Sequence, residues 1–507
     1  MRYKFSEPYR AYLYFHYIID FNKKVKEIIT AYGMPNLDFT DLTLYLSHSL
    51  DQIHLPDFVV RFDTWLRKQP CSHADRYISY FKDNEDTWSK NIRNNNKFIS
   101  ILALNICNST ISNIEKFLKR LLSEHDVLIR NFSCPPLSTI GKITIAAGDR
   151  HNDGQQPIIL NLGDFKLIYK PRDSGIEDTL NTICGIIGLK NICPITLSMG
   201  THLWQEFIEN RELNSTTDAE KVYLRYGNIL ALVDLLNIND CHFDNFIVDY
   251  DNVFLIDPET SFQYFFDDSQ EFERSVYQTG LLQSPDVVKN GLGHTSALTA
   301  VTNIFQSFTY PYAIHDATEN IQVRYERGFP RKTQNFPHHQ GIPVIAQNHI
   351  SDVINGYTDT FIKLKKYHSK IIGYLKNQVH IKPRYLIRTT AYYLLVINKI
   401  IHPDISMNIE GKLSTLIDDY LRYPGAHPRF SELISYEKSC LIKYDIPIFH
   451  IAINSRSLFD GNFNEFTDFF PTTPLEQIDK YFSRDEQYLQ RQHYLISRSM
   501  NVVYNPA

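Results

Sequence analysis

Residues 240–259 read DCHFDNFIVDYDNVFLIDPE, two short apolar runs with Asp240, His242, Asn245, Asp257 and Glu259 set around them. Phe246-Ile247-Val248 and Val253-Phe254-Leu255-Ile256 are β-prone, and Asp249-Tyr250-Asp251-Asn252 between them is turn-forming, so the stretch reads as a hairpin. A hairpin brings its two ends together. Asn245 enters the first strand and Asp257 leaves the second, which predicts an amide oxygen and a carboxylate side by side at one rim. Both are hard oxygen donors that suit Mg²⁺.

Outward from the hairpin the pattern changes several times. Upstream, AEKVYLRYGNILALVDLLN (219–237) repeats apolar residues three and four apart and predicts a helix leading into the hairpin. Between 140 and 170, KITIAAG, QPIILNL and FKLIYK are β-prone runs divided by Gly and Asp, the pattern of a small antiparallel sheet. Residues 1 to about 130 are helical in period, as in YLYFHYIIDFNKKVKEIITAYG and NNKFISILALNICNSTISNIEKFLKRLLSEH. Downstream, 261–345 dissolves into Gly, Pro, Asn, Thr and His and predicts a long loop system, whereas 348–507 predicts mostly helix. The expected class is α+β and two-lobed. Its parts are a helical capping or substrate region at 1–130, an N-lobe at 131–210, a catalytic hairpin with an activation-loop-like region at 211–345, and a helical C-lobe at 346–507.

Composition narrows the classes of function. The chain has 507 residues, 43% hydrophobic and 21% charged, enough for a large core and more than one subdomain. Lys+Arg 52 against Asp+Glu 57 gives a net charge of −5, with no basic field for nucleic acid or an anionic membrane, and neither partner is expected. The N-terminus MRYKFSEPYRAYLYF has no signal-peptide core and no stretch has the length of a membrane span, so a cytoplasmic location is expected. Seven scattered cysteines without a CxxC pair fit reduced core thiols, not a zinc site or a disulfide framework.

The charged residues have the types and order of nucleotide chemistry. In protein kinases a strand lysine holds phosphates, an Asp accepts the hydroxyl proton, an Asn follows it, and a later Asp binds metal. Here Lys170 ends FKLIYK, Asp240 precedes Asn245 by five residues and Asp257 follows the hairpin. Two features depart from that pattern: no GxGxxG precedes Lys170, and Asp-Pro-Glu stands where D-F-G is usual. Taken singly, each residue also fits a capped turn or an exposed strand end. A hydrolytic metal site on Asp240, His242 and Asp257 matches no zinc spacing.

LIYKPRD, HLWQEFI, RYGNILALVDLLNINDCHFDNFIV and LIDPETSF resemble the dehydratase domain of type II lanthipeptide synthetases, the LanM family. The resemblance continues through GDRHNDG at 148–154, RYLIRTTAYY at 384–393, YDIPIF at 444–449 and DEQYLQRQHYLI at 485–496, and so spans roughly 140 to the C-terminus. It implies a lipid-kinase-like fold that uses ATP and Mg²⁺ to phosphorylate Ser or Thr of a leader-bearing precursor peptide. Phosphate is then eliminated, with ADP present, to give dehydroalanine or dehydrobutyrine. By position, Lys170 and Arg172 are implied to hold ATP phosphates, Asp240 and His242 to serve phosphoryl transfer, and Asn245, Asp257 and Glu259 to bind Mg²⁺. Asp-Pro-Glu replaces the commoner D-L-E, and Asp244 stands where Glu is common; both keep a carboxylate.

Elimination needs a base for the α-proton and donors for the departing oxyanion. The resemblance assigns this to Asp149 and His151 in GDRH and to Arg384 and Thr390 in RYLIRTT. Arg388 could share the phosphate role or be an ordinary structural ion-pair residue. The family's zinc-binding cyclase motifs are not found before Ala507, so no zinc and a separate LanC-like cyclase are expected. Two alternatives remain: a kinase that stops at phosphate, and an inactive scaffold of a modification complex.

Overall fold

The computed structural model describes residues 9–69, 76–83, 96–137, 141–146, 148–266, 274–286, 296–298, 310–325, 335–421 and 428–501. The chain is of the α+β class, and it forms two compact units that interleave along the sequence. The first comprises Met1–Pro171, Phe308–Arg327 and Arg388–Pro447; the second comprises Arg172–Ser307, Gly328–Ile387 and Ile448–Ala507.

In the first unit the helices Phe15–Ala31, Thr40–Leu66 and Lys97–Phe132 follow the periodicity of the sequence. Ile99, Leu102, Ala103, Ile106, Ile114, Phe117, Leu118 and Leu121 recur at helical spacing and are buried. Asn96 caps the long helix by accepting from the Ile99 amide at 3.3 Å, and its own amide donates to Ser406 Oγ at 2.9 Å. One side chain thus ends a helix and ties it to a segment 310 residues away. The strands Lys142–Ile145, Ile158–Leu162 and Phe165–Lys170 pair antiparallel, Ile145 opposite Ile158 and Leu162 opposite Phe165. Ile158, Leu160 and Leu162 alternate inward, the period of a half-buried strand. Lys170 ends the third strand with its side chain buried. Downstream, Thr389 caps the helix Thr390–Ile401 by accepting from the Tyr392 amide, which places Thr390 in its first turn.

The second unit is built on the helices Asp218–Leu235 and Ile350–Lys366. A Cβ on Gly227 would stand 2.1 Å from the Val353 carbonyl oxygen, and one on Gly356 would stand 2.0 Å from that of Leu224. Glycine at both positions lets the two backbones touch. Beside this crossing the hairpin forms in the register the apolar runs dictate, with Phe246 opposite Leu255, Ile247 opposite Phe254 and Val248 opposite Val253. Phe246, Val248, Val253 and Leu255 enter the core.

Helices prevail over 348–507 as expected, with one addition that the sequence did not show. Arg384–Tyr385, Phe449–Ile451, Leu458–Asp460 and Glu465–Phe466 form a four-stranded antiparallel sheet within the second unit. Strands of two or three residues are too short to show a period of two, which is why the sequence hid them. The loop system of 261–345 also carries short regular pieces, the hairpins Tyr312–Ile314/Gln322–Arg324 and His338–His339/Ile342–Pro343. The remainder of that stretch lies partly outside the described residues. No helix among the described residues is long and apolar enough to cross a membrane.

Candidate active site

Most of the sequence-predicted residues fall into two clusters, one within each unit, while Lys170 ends a strand of the first. In the second unit the helix Asp218–Leu235 runs into the loop 236–240, which is held by buried polar groups. Arg274 donates to the carbonyls of Val233, Asp234 and Ile238 and to Asn239 Oδ1, all at 3.0–3.2 Å. Asp234 faces Arg274 at 3.6 Å and accepts from the hydroxyls of Tyr357 at 2.7 Å and Tyr488 at 2.8 Å, so the buried guanidinium and carboxylate neutralise each other. On the other side the Asn239 amide reaches the Thr260 carbonyl at 3.1 Å, and the Gln263 amide reaches that of Asn237 at 2.8 Å. The loop that carries Asp240 is therefore braced from both sides.

Asp240 itself has φ +60°, a left-handed conformation that Asp tolerates better than most residues. It carries the raised backbone energy typical of functional positions. Its carbonyl accepts from Asn245 Nδ2 at 2.7 Å, which assigns the other end of that amide as an oxygen donor. The Ile256 amide donates to the Asn245 carbonyl at 2.9 Å, closing the rim of the hairpin next to Asp257. The backbone of Asn245 thus meets that of Ile256, the residue before Asp257; an amide oxygen and a carboxylate are the kinds of hard oxygen a divalent cation takes.

His242 Nδ1 accepts from the Asp244 amide at 3.2 Å, so the ring proton is on Nε2, which lies 3.7 Å from Asp240 Oδ1. Burial pushes the Asp240 carboxyl above the usual range, with His242 and Arg384 pulling it down and Glu259 and Asp257 pushing it up. The Asp240 side chain keeps 40% of its surface accessible, so solvent damps this shift. A carboxylate held this way is a stronger proton acceptor than an ordinary Asp.

Glu259 is held between two arginines. It pairs with Arg172, and its Oε1 accepts from Arg384 Nη1 at 2.8 Å. The Arg384 amide also donates to the Glu259 carbonyl at 2.8 Å. Arg172 Nη2 lies 3.7 Å from Asp257 Oδ2. Two guanidiniums and two carboxylates therefore alternate here. A position that the sequence reading missed adjoins them: His450 is the cross-strand partner of Arg384, immediately after YDIPIF. It donates Nδ1–H to the Lys382 carbonyl at 3.1 Å, and burial, helped by Arg172 and Arg384, lowers its pKa to about 4. Its position directly after a motif already singled out was the one signal available. Arg274 gave none.

The first unit holds the other cluster. GDRHNDG forms a tight turn in which Asn152, Asp153 and Gly154 have φ of 46°, 62° and 75°. Asp149 Oδ2 accepts from Thr390 Oγ1 at 2.9 Å, so two residues 241 positions apart meet. His151 Nδ1 donates to the Ile446 carbonyl at 2.8 Å, making Nε2 the basic nitrogen of the ring. Arg384 belongs to the second unit, where Glu259 is its partner. Arg388 is taken into structure: it forms a buried ion pair with Glu437 at 2.8 Å and donates to the Leu421 carbonyl at 2.7 Å.

Residues 99–452 match the model of the family described as Domain of unknown function (DUF4135). The chain is 24% identical over 416 residues to the lacticin 481/lactococcin biosynthesis protein LcnDR2 of Lactococcus lactis subsp. lactis. That alignment covers 75% of this chain and 44% of the relative, so the chain spans less than half the length of the curated protein it matches. With the family model covering most of its length, the chain belongs to the DUF4135 family and is a member of the LanM-related group that its motifs resemble.

Proposed function

We propose that this protein acts in lanthipeptide maturation as an ATP-dependent Ser/Thr dehydratase of a precursor peptide, with a lipid-kinase-like catalytic core. The observation that carries the reading is the rim of the 246–255 hairpin, where Asn245 is locked to the Asp240 backbone and its carbonyl accepts from the amide of Ile256, the residue before Asp257. The similarity to a lacticin 481/lactococcin biosynthesis protein supplies the peptide class.

In the first step the Asp240 carboxylate takes the proton of a Ser or Thr hydroxyl. The oxygen bonds to the γ-phosphorus of ATP as the bond to ADP breaks. His242 Nε2–H steadies Asp240, and Lys170 and Arg172 hold phosphate oxygens. Asn245 and Asp257 would hold Mg²⁺, which supplies charge neutralisation to the phosphates.

In the second step His151 Nε2 takes the α-proton, the Cβ–O bond breaks and inorganic phosphate leaves as the C=C bond forms. Thr390 orients Asp149, and Arg384 offers its planar fork to the departing phosphate. The product is an electrophilic alkene, which a LanC-like cyclase would convert to a thioether.

The test is the mass of the precursor encoded beside this chain's gene after incubation with the protein, ATP and Mg²⁺. Wild type is expected to remove one water per site, Arg384→Ala to accumulate phosphopeptide and Asp257→Ala to leave the peptide unchanged. Phosphate gain without water loss in wild type would instead establish a kinase that stops at phosphate. No mass change in any sample would leave the scaffold role.

A further inference from the structure

Between the two elimination candidates stands a residue to which neither the motif nor the reaction gives a role. Arg150 is buried, 3% exposed, although it belongs to a surface turn. Its Nη2 donates to Ser109 Oγ at 2.9 Å, on the helix Lys97–Phe132, and its Nε lies 3.7 Å from Asp445 Oδ1. Asp445 Oδ2 in turn accepts from the Gly154 amide at 3.1 Å, at the far end of the same turn. Burial pushes the Asp445 carboxyl up, and Arg150 together with the backbone amides of Gly154 and Asp153 opposes it.

The backbones interlock around this pair. The Ile446 amide donates to the Arg150 carbonyl at 2.8 Å, and the Ile446 carbonyl accepts His151 Nδ1–H at 2.8 Å. Gly154 has no alternative at this point: φ is +75°, and a Cβ would stand 2.1 Å from Arg150 Nη2. A buried ion pair adds little net stability against a well-packed apolar replacement, so its value here is geometric.

We propose that Arg150 and Asp445 are positioning residues for the elimination step. They clamp the turn 148–154 onto residues 444–447, which keeps the proton of His151 on Nδ1 and its Nε2 basic, and holds Asp149 against Thr390. The inference rests on the dehydratase reading for its catalytic half and on the geometry alone for the tautomer.

Two readouts keep these halves apart. In ¹⁵N-labelled full-length protein, wild-type His151 at pH 8 is expected to show the Nδ1–H tautomer, and Asp445→Asn a mixture of both. With the neighbouring precursor, ATP and Mg²⁺, Asp445→Asn is expected to raise the ratio of phosphorylated to dehydrated peptide tenfold or more, while total phosphoryl incorporation changes less than twofold. Ser109→Ala removes one Arg150 partner without touching the ion pair and is expected to raise that ratio two- to threefold. It carries the test if Asp445→Asn does not fold. A purely structural role would lower both steps together, and that result, or an unchanged ratio in both variants, overturns the proposal. An unchanged tautomer in Asp445→Asn overturns the clamp itself. A wild type that neither phosphorylates nor dehydrates overturns the dehydratase reading and the catalytic half with it, while the nitrogen shifts still decide the clamp.

Discussion

In the second unit Asp240, Asp257 and Glu259 share a small region with Arg172 and Arg384, and charge is met by charge. In the first unit two hydrogen bonds to neutral groups stand out: Asp149 accepts from a hydroxyl and His151 donates to a carbonyl. The ionic reinforcement there lies one layer back, in Arg150 and Asp445. The contrast fits the two chemical tasks proposed above, with Arg384 the second-unit group that is also given to the second task. Phosphoryl transfer moves an anion between oxygens and requires a dense array of charges. Elimination begins with removal of a weakly acidic proton, for which the tautomer and direction of one base matter more than net field.

Separating the clusters by substrate is the most severe way to break this comparison. Asp240→Asn removes the proposed proton acceptor and is expected to slow phosphorylation about a thousandfold, within the usual worth of general-base catalysis. The same variant, supplied with ADP, Mg²⁺ and precursor already carrying phosphoserine, is expected to eliminate phosphate at close to the wild-type rate. Phosphate release measured on both substrates decides it. Equal loss on both would mean that one cluster serves both steps.

The scaffolds differ as well, and the second unit has the tighter crossing. Gly356→Ala drives a Cβ into the Leu224 carbonyl between two packed helices, where neither backbone can yield cheaply. Overpacking of this kind costs about 3 kcal/mol. The expected outcome is a calorimetric trace in which one transition moves down by several degrees. A trace that shifts as a whole would show the two units melting as one.

How far the sequence disclosed this arrangement depended on the range of the interactions. The hairpin and its register were legible because they follow from alternation over twenty residues with turn formers between. The long helices were legible for the same local reason, through spacing of three and four. Glu259 with Arg384 is a contact across 125 residues, and Asp149 with Thr390 one across 241; propensity has no term for either. The sheet that carries Arg384 and His450 was missed because a strand as short as Arg384–Tyr385 has no period. Burial of Arg150 ran against composition, since a charged residue in a polar turn reads as surface until its partner 295 positions later is known.

The smallest expected effect concerns the two histidines, which share a feature across the two units: each donates Nδ1–H to a backbone carbonyl. For His450 burial lowers the folded pKa to about 4 from 6.5. In that window the unfolded chain binds a proton that the folded chain refuses, so folding stability rises with pH and falls on acidification. The loss is expected to begin below about 6.5 and to level off near 4, at about 1 kcal/mol per pH unit between. His450→Gln keeps an N–H for the Lys382 carbonyl but has no proton to gain, so its urea midpoint should be flatter over this range. His54, buried in the first unit with its pKa also lowered by burial, leaves a residual slope in both proteins, and the difference between them isolates His450. Parallel slopes would mean that the ring of His450 is reached by water in the folded state.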